Sequence, residues 1–281
     1  MKKITLSMIA LSSLLFSADV DTTQLEADIA TAEAAKKEAE AKLKALIAQR
    51  PQDQSIHSNV KFGYMKTDGN SNTETFSLNG KATKNWGVNS LKATLDIQYG
   101  NADTVVNNVT VNEVNKEKYF GELEYGYAFT KVLTATVVVG YKNDKFSSYD
   151  YQSYVGPGVK YKAYKSDKQD LDLEASLLYS KDKIMDQYPA SGLEEEYGSY
   201  KAKLLYELKI IDDLKFNQEL SYRASMDEST NYFVFSKSEL SSKISDIFSA
   251  GIAYQIEYTN IVGDDVEQRD NTLTAFLSVD Y

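Results

Sequence analysis

Few residues in this chain could carry covalent or acid–base chemistry near neutral pH. The 281 residues contain one histidine, His57, and no cysteine. These counts exclude a site that needs two imidazoles, a thiol nucleophile, a disulfide framework and a cysteine-ligated zinc or iron–sulfur centre. We therefore predict no cofactor and no metal centre. The chemistry that is left belongs to carboxylates, amines and hydroxyls.

The charged residues are abundant and regularly placed. The chain has 31 Lys and Arg against 41 Asp and Glu, a net charge of −10. An acidic chain binds nucleic acid poorly, because phosphate neutralisation needs clustered basic residues, so no nucleic-acid partner is expected. Along many segments charged residues alternate with apolar ones; Asp172 and Glu174, for example, lie between Leu171, Leu173 and Ala175. Such alternation is typical of strands with one apolar face.

The charged face cannot belong to a dry core, because an unpaired buried charge costs several kcal/mol. We predict instead a wet, partly salt-bridged lumen inside a barrel. The candidate lumen charges are Lys92, Asp96, Glu122, Glu124, Lys160, Asp172, Glu174, Lys201, Lys203, Glu219, Arg223 and Glu257. Over the whole predicted inward face, charges of the two signs nearly balance, which predicts at most weak ion selectivity.

The elements that would position these charges are twelve strands. Alternation places them at 57–67, 73–84, 88–101, 117–129, 132–143, 150–164, 169–182, 197–209, 214–225, 230–242, 248–260 and 270–281. Short connections alternate with longer ones, of which 102–116 is an expected long loop. Short turns on one side and long loops on the other are typical of outer-membrane barrels. The predicted fold is all-β, a twelve-stranded antiparallel outer-membrane β-barrel over residues 57–281.

Tyrosine placement distinguishes a membrane barrel from a soluble sandwich. The chain has 21 tyrosines, and they recur at strand ends on the apolar face. Amphipathic rings prefer the headgroup interface, so two aromatic girdles are expected. The girdle residues are Tyr64, Tyr99, Tyr119, Tyr141, Tyr179, Tyr222 and Tyr258 at one rim, and Trp86 and Tyr281 at the other.

The N-terminal residues are predicted to be a targeting signal followed by a helix. Residues 1–18 combine two lysines with a short apolar stretch and are predicted to be a secretory signal peptide. Residues 19–52 are predicted to be a periplasmic α-helical segment that Pro51 ends. Its apolar residues follow heptad spacing over about three repeats. Either the helix is a solvated spacer, or residues 19–50 form a coiled coil that makes a homo-oligomer.

The predicted outer loops are acidic and suggest a surface that faces the cell exterior. Their carboxylates include Asp68, Asp103, Glu113, Asp144, Asp150, Asp182, Asp186, Glu194, Asp227 and Asp264. They form either a solvated surface or a surface that binds divalent cations and bridges to lipopolysaccharide phosphates. The expected partners are outer-membrane lipid, lipopolysaccharide and the barrel insertion machinery. The alternating residues Leu273 to Tyr281 resemble the C-terminal signal that this machinery recognises in its substrates.

Two stretches of the chain resemble a known family. One is the segment from Gly63 to Glu74, followed by Phe76 and Leu78. The other comprises Gly140–Phe146, Tyr149–Gln152, Gly156–Gly158 and Tyr161. They resemble the family of salt-induced outer membrane proteins (YdiY-like), which carries a domain of unknown function, over about residues 57–281. The resemblance implies a barrel in the outer membrane of a Gram-negative bacterium, and it implies no activity or catalytic residue.

Two functions follow from these predictions. The first is a narrow channel for small solutes or ions, and the alternative is a non-conducting structural envelope protein linked to salt or osmotic stress. An enzyme is not expected: a barrel lipase needs a Ser–His pair near the outer leaflet, and His57 lies at the predicted periplasmic start of the barrel. A continuous water path would favour the channel, and cross-lumen Lys–Glu pairs would favour the structural role.

Overall fold

The chain forms two units, residues 1–51 and residues 52–281. The computed structural model describes residues 30–31, 33–34, 36–38, 56–67, 73–106, 109–184, 194–263 and 266–280. In the first unit the described residues, all between 30 and 38, are helical. The predicted signal peptide at 1–18 and the rest of the 19–52 segment lie outside the described residues. Among the described residues, no helix is long and apolar enough to cross a membrane.

The second unit is a closed antiparallel barrel of twelve strands, as predicted. Each strand pairs with its neighbours in sequence, and β1 pairs with β12 to close the ring. In the closing pair, Asn59 faces Asp280 and Gly63 faces Phe276. The strands are β1 Ile56–Thr67, β2 Thr73–Trp86, β3 Asn89–Val106, β4 Val109–Ala128, β5 Leu133–Asp144, β6 Tyr149–Lys165, β7 Gln169–Ile184, β8 Glu194–Ile211, β9 Leu214–Ser225, β10 Tyr232–Lys243, β11 Phe248–Thr259 and β12 Arg269–Asp280.

The barrel is apolar outside and polar inside. On β12 the Leu277 side chain is 59% exposed, whereas the adjacent Ser278 is 3% exposed and points inward. On β4 Leu123 is 49% exposed, and its neighbours Glu122 and Glu124 are buried. A water-soluble protein has the opposite arrangement, because exposing contiguous apolar surface to water is unfavourable. An outward apolar face of this extent is typical of strands that contact lipid.

Two kinds of connection define the two ends of the barrel. At the short-turn end, tight turns join β2 to β3, β4 to β5, β6 to β7, β8 to β9 and β10 to β11. The β2–β3 turn needs a glycine, because Gly87 has a φ of 59°, in the left-handed region. At the other end, hereafter the long-loop end, most connections are longer, as those at 185–193 and 260–268 are.

One expected loop is a strand pair. The sequence predicted a long loop over 102–116, whereas β3 and β4 continue as a hairpin in which Ala102 faces Glu113 and Thr104 faces Val111. The prediction was wrong because the alternation weakens there, although the segment is rich in Val and Thr, whose branched side chains favour strands. A register shift between Gly100 and Asn101 separates this extension from the barrel wall.

Two glycines, on strands β4 and β6, offer a matched test of wall packing. A Cβ at Gly156 on β6 would lie 2.0 Å from the Leu177 backbone oxygen, whereas a Cβ at Gly121 on β4 would meet no atom within 4 Å. We expect Gly156→Val to lower the free energy of unfolding by about 1–3 kcal/mol, because the wall must shift to admit the side chain. Gly121→Val should leave it nearly unchanged. Urea titration of the refolded barrel measures both; equal losses would contradict the packing argument.

Candidate functional site: the charged lumen

The lumen contains a cavity of about 1000 Å³. Its lining runs from Asp213, Asp246 and Asp280 at the short-turn end to Tyr258 and Thr259 at the long-loop end. About half of the residues between are lysines and carboxylates, carried mainly on β1–β5 and β7–β11. Strand alternation thus delivers charged side chains to one enclosed space along the full height of the barrel.

Most of the predicted lumen charges line this cavity. They are Lys92, Asp96, Glu122, Asp172, Lys201, Lys203, Glu219, Arg223 and Glu257. The other three lie beside it as an ion-paired trio on β4, β6 and β7. The Lys160 ammonium is 2.9 Å from a Glu124 oxygen and 2.8 Å from a Glu174 oxygen.

One side of the lumen is filled by a cluster around Glu122. Lys201 on β8 places its Nζ 2.7 Å from Glu122 Oε2, and Lys203 places its Nζ 3.6 Å from Glu122 Oε1. The Tyr154 hydroxyl donates to the same carboxylate, and the Lys201 ammonium also lies 4.7 Å from the Tyr154 ring centroid. Lys203 reaches Glu219 at 3.2 Å. These buried charges are mutually compensated, so this side acts as a plug attached to the wall.

A second buried group continues the plug toward the long-loop end. Arg223 pairs with Asp182 at 3.3 Å, and the Tyr197 hydroxyl donates to Asp182 at 2.6 Å. Arg223 also lies 4.4 Å from the Phe233 ring centroid. The sequence placed Asp182 and Asp144 among the solvated outer carboxylates, and this was wrong: Asp182 is 1% exposed and Asp144 is 8% exposed. Both point inward at the ends of strands that extend further than predicted.

A carboxylate bridge crosses the lumen from wall to wall. Glu257 on β11 accepts from Lys142 on β5 at 2.8 Å and from Lys118 on β4. Because β5 and β11 are six strands apart in either direction around the ring, the Glu257 bridge spans the whole diameter. It lies toward the long-loop end of the cavity. Any solute that passes along the lumen must move beside it or displace it.

The opposite side of the cavity is less fully paired. Lys61 on β1 contacts Glu239 on β10 at 2.5 Å, and Lys237 donates to Asn79 at 2.6 Å. Lys81 lies 3.8 Å from Glu219. Within the described part of the chain, Lys92 and Lys237 have no carboxylate at ion-pair distance. The cavity therefore retains charged groups that a solute or water can reach.

Sequence reasoning missed the aromatic and cross-lumen members of the site. Tyr154 is inward because it lies on the same face of β6 as Lys160, and no register shift separates the two residues. Gly140 makes the space, since a Cβ there would lie 2.2 Å from the Tyr154 ring. The signal available in the sequence was the pair of glycines, Gly140 and Gly156, on otherwise regular strands.

The predicted girdle tyrosines lie on the outer face of the barrel. Tyr64, Tyr99, Tyr119, Tyr141 and Tyr179 have exposed rings near the long-loop end. Tyr222 and Tyr258 belong to a row, Tyr200–Tyr222–Tyr232–Tyr258, whose successive ring centroids are 6.1, 5.8 and 5.9 Å apart. Trp86 lies near Tyr125 at the short-turn end, with centroids 6.4 Å apart. Tyr281 lies outside the described residues.

The described carboxylates do not assemble into a metal site. No group of three or more His, Asp or Glu side chains within the described ranges is placed to hold a metal ion. Several acidic loop residues, including Asp68, Asp186 and Asp264, lie outside those ranges.

The Glu122 cluster predicts a stability difference between buried and exposed ion pairs. Glu122→Gln leaves Lys201 and Lys203 without their shared carboxylate, and we expect it to lower the free energy of unfolding by about 3 kcal/mol. The matched control is Asp246→Asn, which removes an exposed pair with Lys243 and should have no measurable effect. Urea unfolding followed by tyrosine fluorescence reports both, and a neutral Glu122→Gln would show that water already solvates the plug.

Several solved barrels share the general plan at low similarity. The NanC porin is 14% identical and covers 79% of this chain and 97% of its own, with a TM-score of 0.43. The translocator domain of autotransporter NalP from Neisseria meningitidis is 12% identical over 92% of this chain and 98% of its own, with a TM-score of 0.47. An outer membrane channel from Pseudomonas putida F1 is 10% identical over 83% and 99%, with a TM-score of 0.47.

Sequence comparison gives the family. No curated protein shows significant similarity to the chain. A family model described as Protein of unknown function, DUF481, matches residues 60–281, which is nearly the whole barrel. The match does not test the salt-induced (YdiY-like) name that the motifs resembled. The chain belongs to the DUF481 family of proteins of unknown function.

Proposed function

We propose that this protein is an outer-membrane barrel whose lumen is a narrow channel for small solutes or ions, with the Glu257 bridge as its gate. The observation that carries the proposal is the cavity whose charged lining extends from the short-turn end to the long-loop end beside that bridge. A structural plug alone needs no such cavity, and a charged lining stays hydrated.

The outward face supports the membrane location. It combines an exposed apolar band with tyrosine rings near the long-loop end, the arrangement that a bilayer favours. In such barrels short turns face the periplasm, so the short-turn end, with the start of β1 and the end of β12, is the periplasmic one. The preceding segment at 19–52 then lies in the periplasm, in a Gram-negative envelope.

The bridge gives the channel a gate that responds to charge. Glu257 is held by two ammonium groups from the opposite wall, Lys118 and Lys142. A charged or strongly polar solute competes for these groups, whereas an apolar solute has nothing with which to replace them. Lysines and carboxylates are present in nearly equal numbers in the lining, so ion selectivity of the open channel is weak.

A second function is favoured by the same bridge. The Glu257–Lys142 pair connects opposite walls, and Lys61–Glu239 connects strands three places apart in the ring, so both stiffen the barrel. If they never open, the protein is a non-conducting envelope protein linked to salt or osmotic stress. In either role the protein acts without catalysis, and its partners are membrane lipid, lipopolysaccharide and the barrel insertion machinery. Association through residues 19–50 is a separate proposal that applies to both roles.

Conductance of the refolded protein in planar bilayers tests the channel. We expect small, reproducible steps from the unmodified protein. Glu257→Gln should enlarge them, because the bridge loosens, and should shift the reversal potential toward anion selectivity, because Lys118 and Lys142 lose their compensating charge. The matched control is Glu117→Gln, which removes a carboxylate paired with Lys145 near the β5–β6 turn.

The outcomes separate the two functions. Steps that grow in Glu257→Gln and stay constant in Glu117→Gln support the gated channel. If correctly folded, heat-modifiable protein gives no steps in either the unmodified form or Glu257→Gln, the channel is ruled out and the structural role stands.

A further inference from the structure

In the lipid-facing band, β9 and β10 form a polar patch. Gln218 lies between Phe216 and Leu220 on the outward face of β9. Ser236 and Ser238 are consecutive outward positions on β10. The register brings them together, since Ser238 faces Gln218 and Ser236 faces Leu220. These three residues are hereafter the band patch.

The band patch lies near the middle of the apolar band. Ser236 and Ser238 are four and six residues along β10 from Tyr232, which belongs to the outer tyrosine row. At about 3.4 Å per residue and about 40° of tilt, they lie roughly 10–15 Å below that row, within a band about 25 Å tall. Their outward neighbours on β11 are Ile256 and Tyr254. Amide and hydroxyl groups at this depth are unfavourable in hydrocarbon unless they are hydrogen-bonded.

The three side chains form hydrogen bonds with each other and still have a donor and acceptors available for further hydrogen bonds. Gln218 Nε2 donates to Ser236 Oγ at 3.1 Å, and Ser238 Oγ donates to Gln218 Oε1 at 2.5 Å. Gln218 Nε2 also donates to the Glu219 carbonyl at 3.1 Å. Among the described residues the Ser236 hydroxyl proton has no acceptor, and the oxygens of Gln218 and Ser238 can each accept again. The patch thus presents a donor beside acceptors.

We propose that the band patch is the centre of an interface with a second copy of this chain in the membrane. The patch is uncharged and holds a donor and acceptors side by side, so it is complementary to itself when two copies are related by a two-fold axis. Polar residues at interfaces between membrane-spanning segments form such hydrogen bonds across the contact. Apolar neighbours, Leu220 and Leu240, surround the patch and complete the contact. Sugars and headgroups of lipids lie outside the band and do not reach this depth.

Cross-linking between introduced cysteines tests the interface, because the chain has no native cysteine. Leu240→Cys lies on β10 beside the band patch and leaves it intact. Ala93→Cys, an outward position on β3, is the matched control, since β3 and β9 are on opposite sides of the ring. In vesicles at low protein-to-lipid ratio, a short bismaleimide should give dimers from Leu240→Cys at least about tenfold more than from Ala93→Cys. Equal yields would mean random collisions, and low yields from both would also overturn the proposal.

Removing the patch provides the second arm. In the Leu240→Cys background, Gln218→Leu with Ser236→Ala and Ser238→Ala replaces polar groups by apolar ones on the lipid face, so the barrel still folds; heat modifiability checks this. Dimer yield should fall to the Ala93→Cys level. A yield that persists would show that association arises elsewhere, for example through residues 19–50, and the band patch would then have no role in it.

Discussion

Pairing of β1 with β12 is the interaction on which the rest of this structure depends. Without it the sheet would have two edges, and the backbone groups of both would lie unpaired in hydrocarbon, which is not tolerated. The closing register, Asn59 opposite Asp280 and Gly63 opposite Phe276, also sets which side chains face inward on the two strands. A slip by one residue would turn Lys61 toward lipid and Phe62 into the lumen. Closure therefore determines both the membrane face and the charged interior.

Closure at twelve strands creates the second constraint, which is how to fill the inside. Eight strands can be filled by their own side chains, whereas sixteen leave an open channel. Here long charged side chains extend from the walls and meet near the middle. Lys201 and Glu122 meet on one side, and Lys142 and Glu257 meet across the whole diameter. Pairing offsets the free-energy cost of burying each charge alone. The space that the paired side chains leave unfilled is the cavity. In the proposed channel, permeability depends on side-chain contacts that can rearrange while the backbone stays closed.

Much of this could be predicted from the sequence, and the limits have physical reasons. Period-two alternation is local, so it identified the strands and separated lumen charges such as Glu174 from outward residues such as Leu173. Partners across the lumen are not local: nothing near Glu257 in the sequence indicates Lys142, more than a hundred residues away. Tyr154 lies on the same face as the inward Lys160, but aromatic residues were assigned to the outward face, so its residue type pointed the wrong way. Asp182 was placed in solvent because strands that extend above the membrane carry the same residue types as loops.

Residues that depart from the pattern of apolar outside and polar inside are more informative than the many residues that follow it. Aromatic residues such as Tyr154 and Phe233 lie inside, where they pack against Lys201 and Arg223 and fill one side of the lumen. Gln218 lies outside, in hydrocarbon, where no packing requirement of the barrel calls for an amide. A lipid-facing position favours an apolar residue such as leucine. Exceptions to such local preferences are expected at functional sites. The lumen and the band patch are therefore independent features: one can determine what crosses the membrane, and the other can determine how copies of the barrel meet within it.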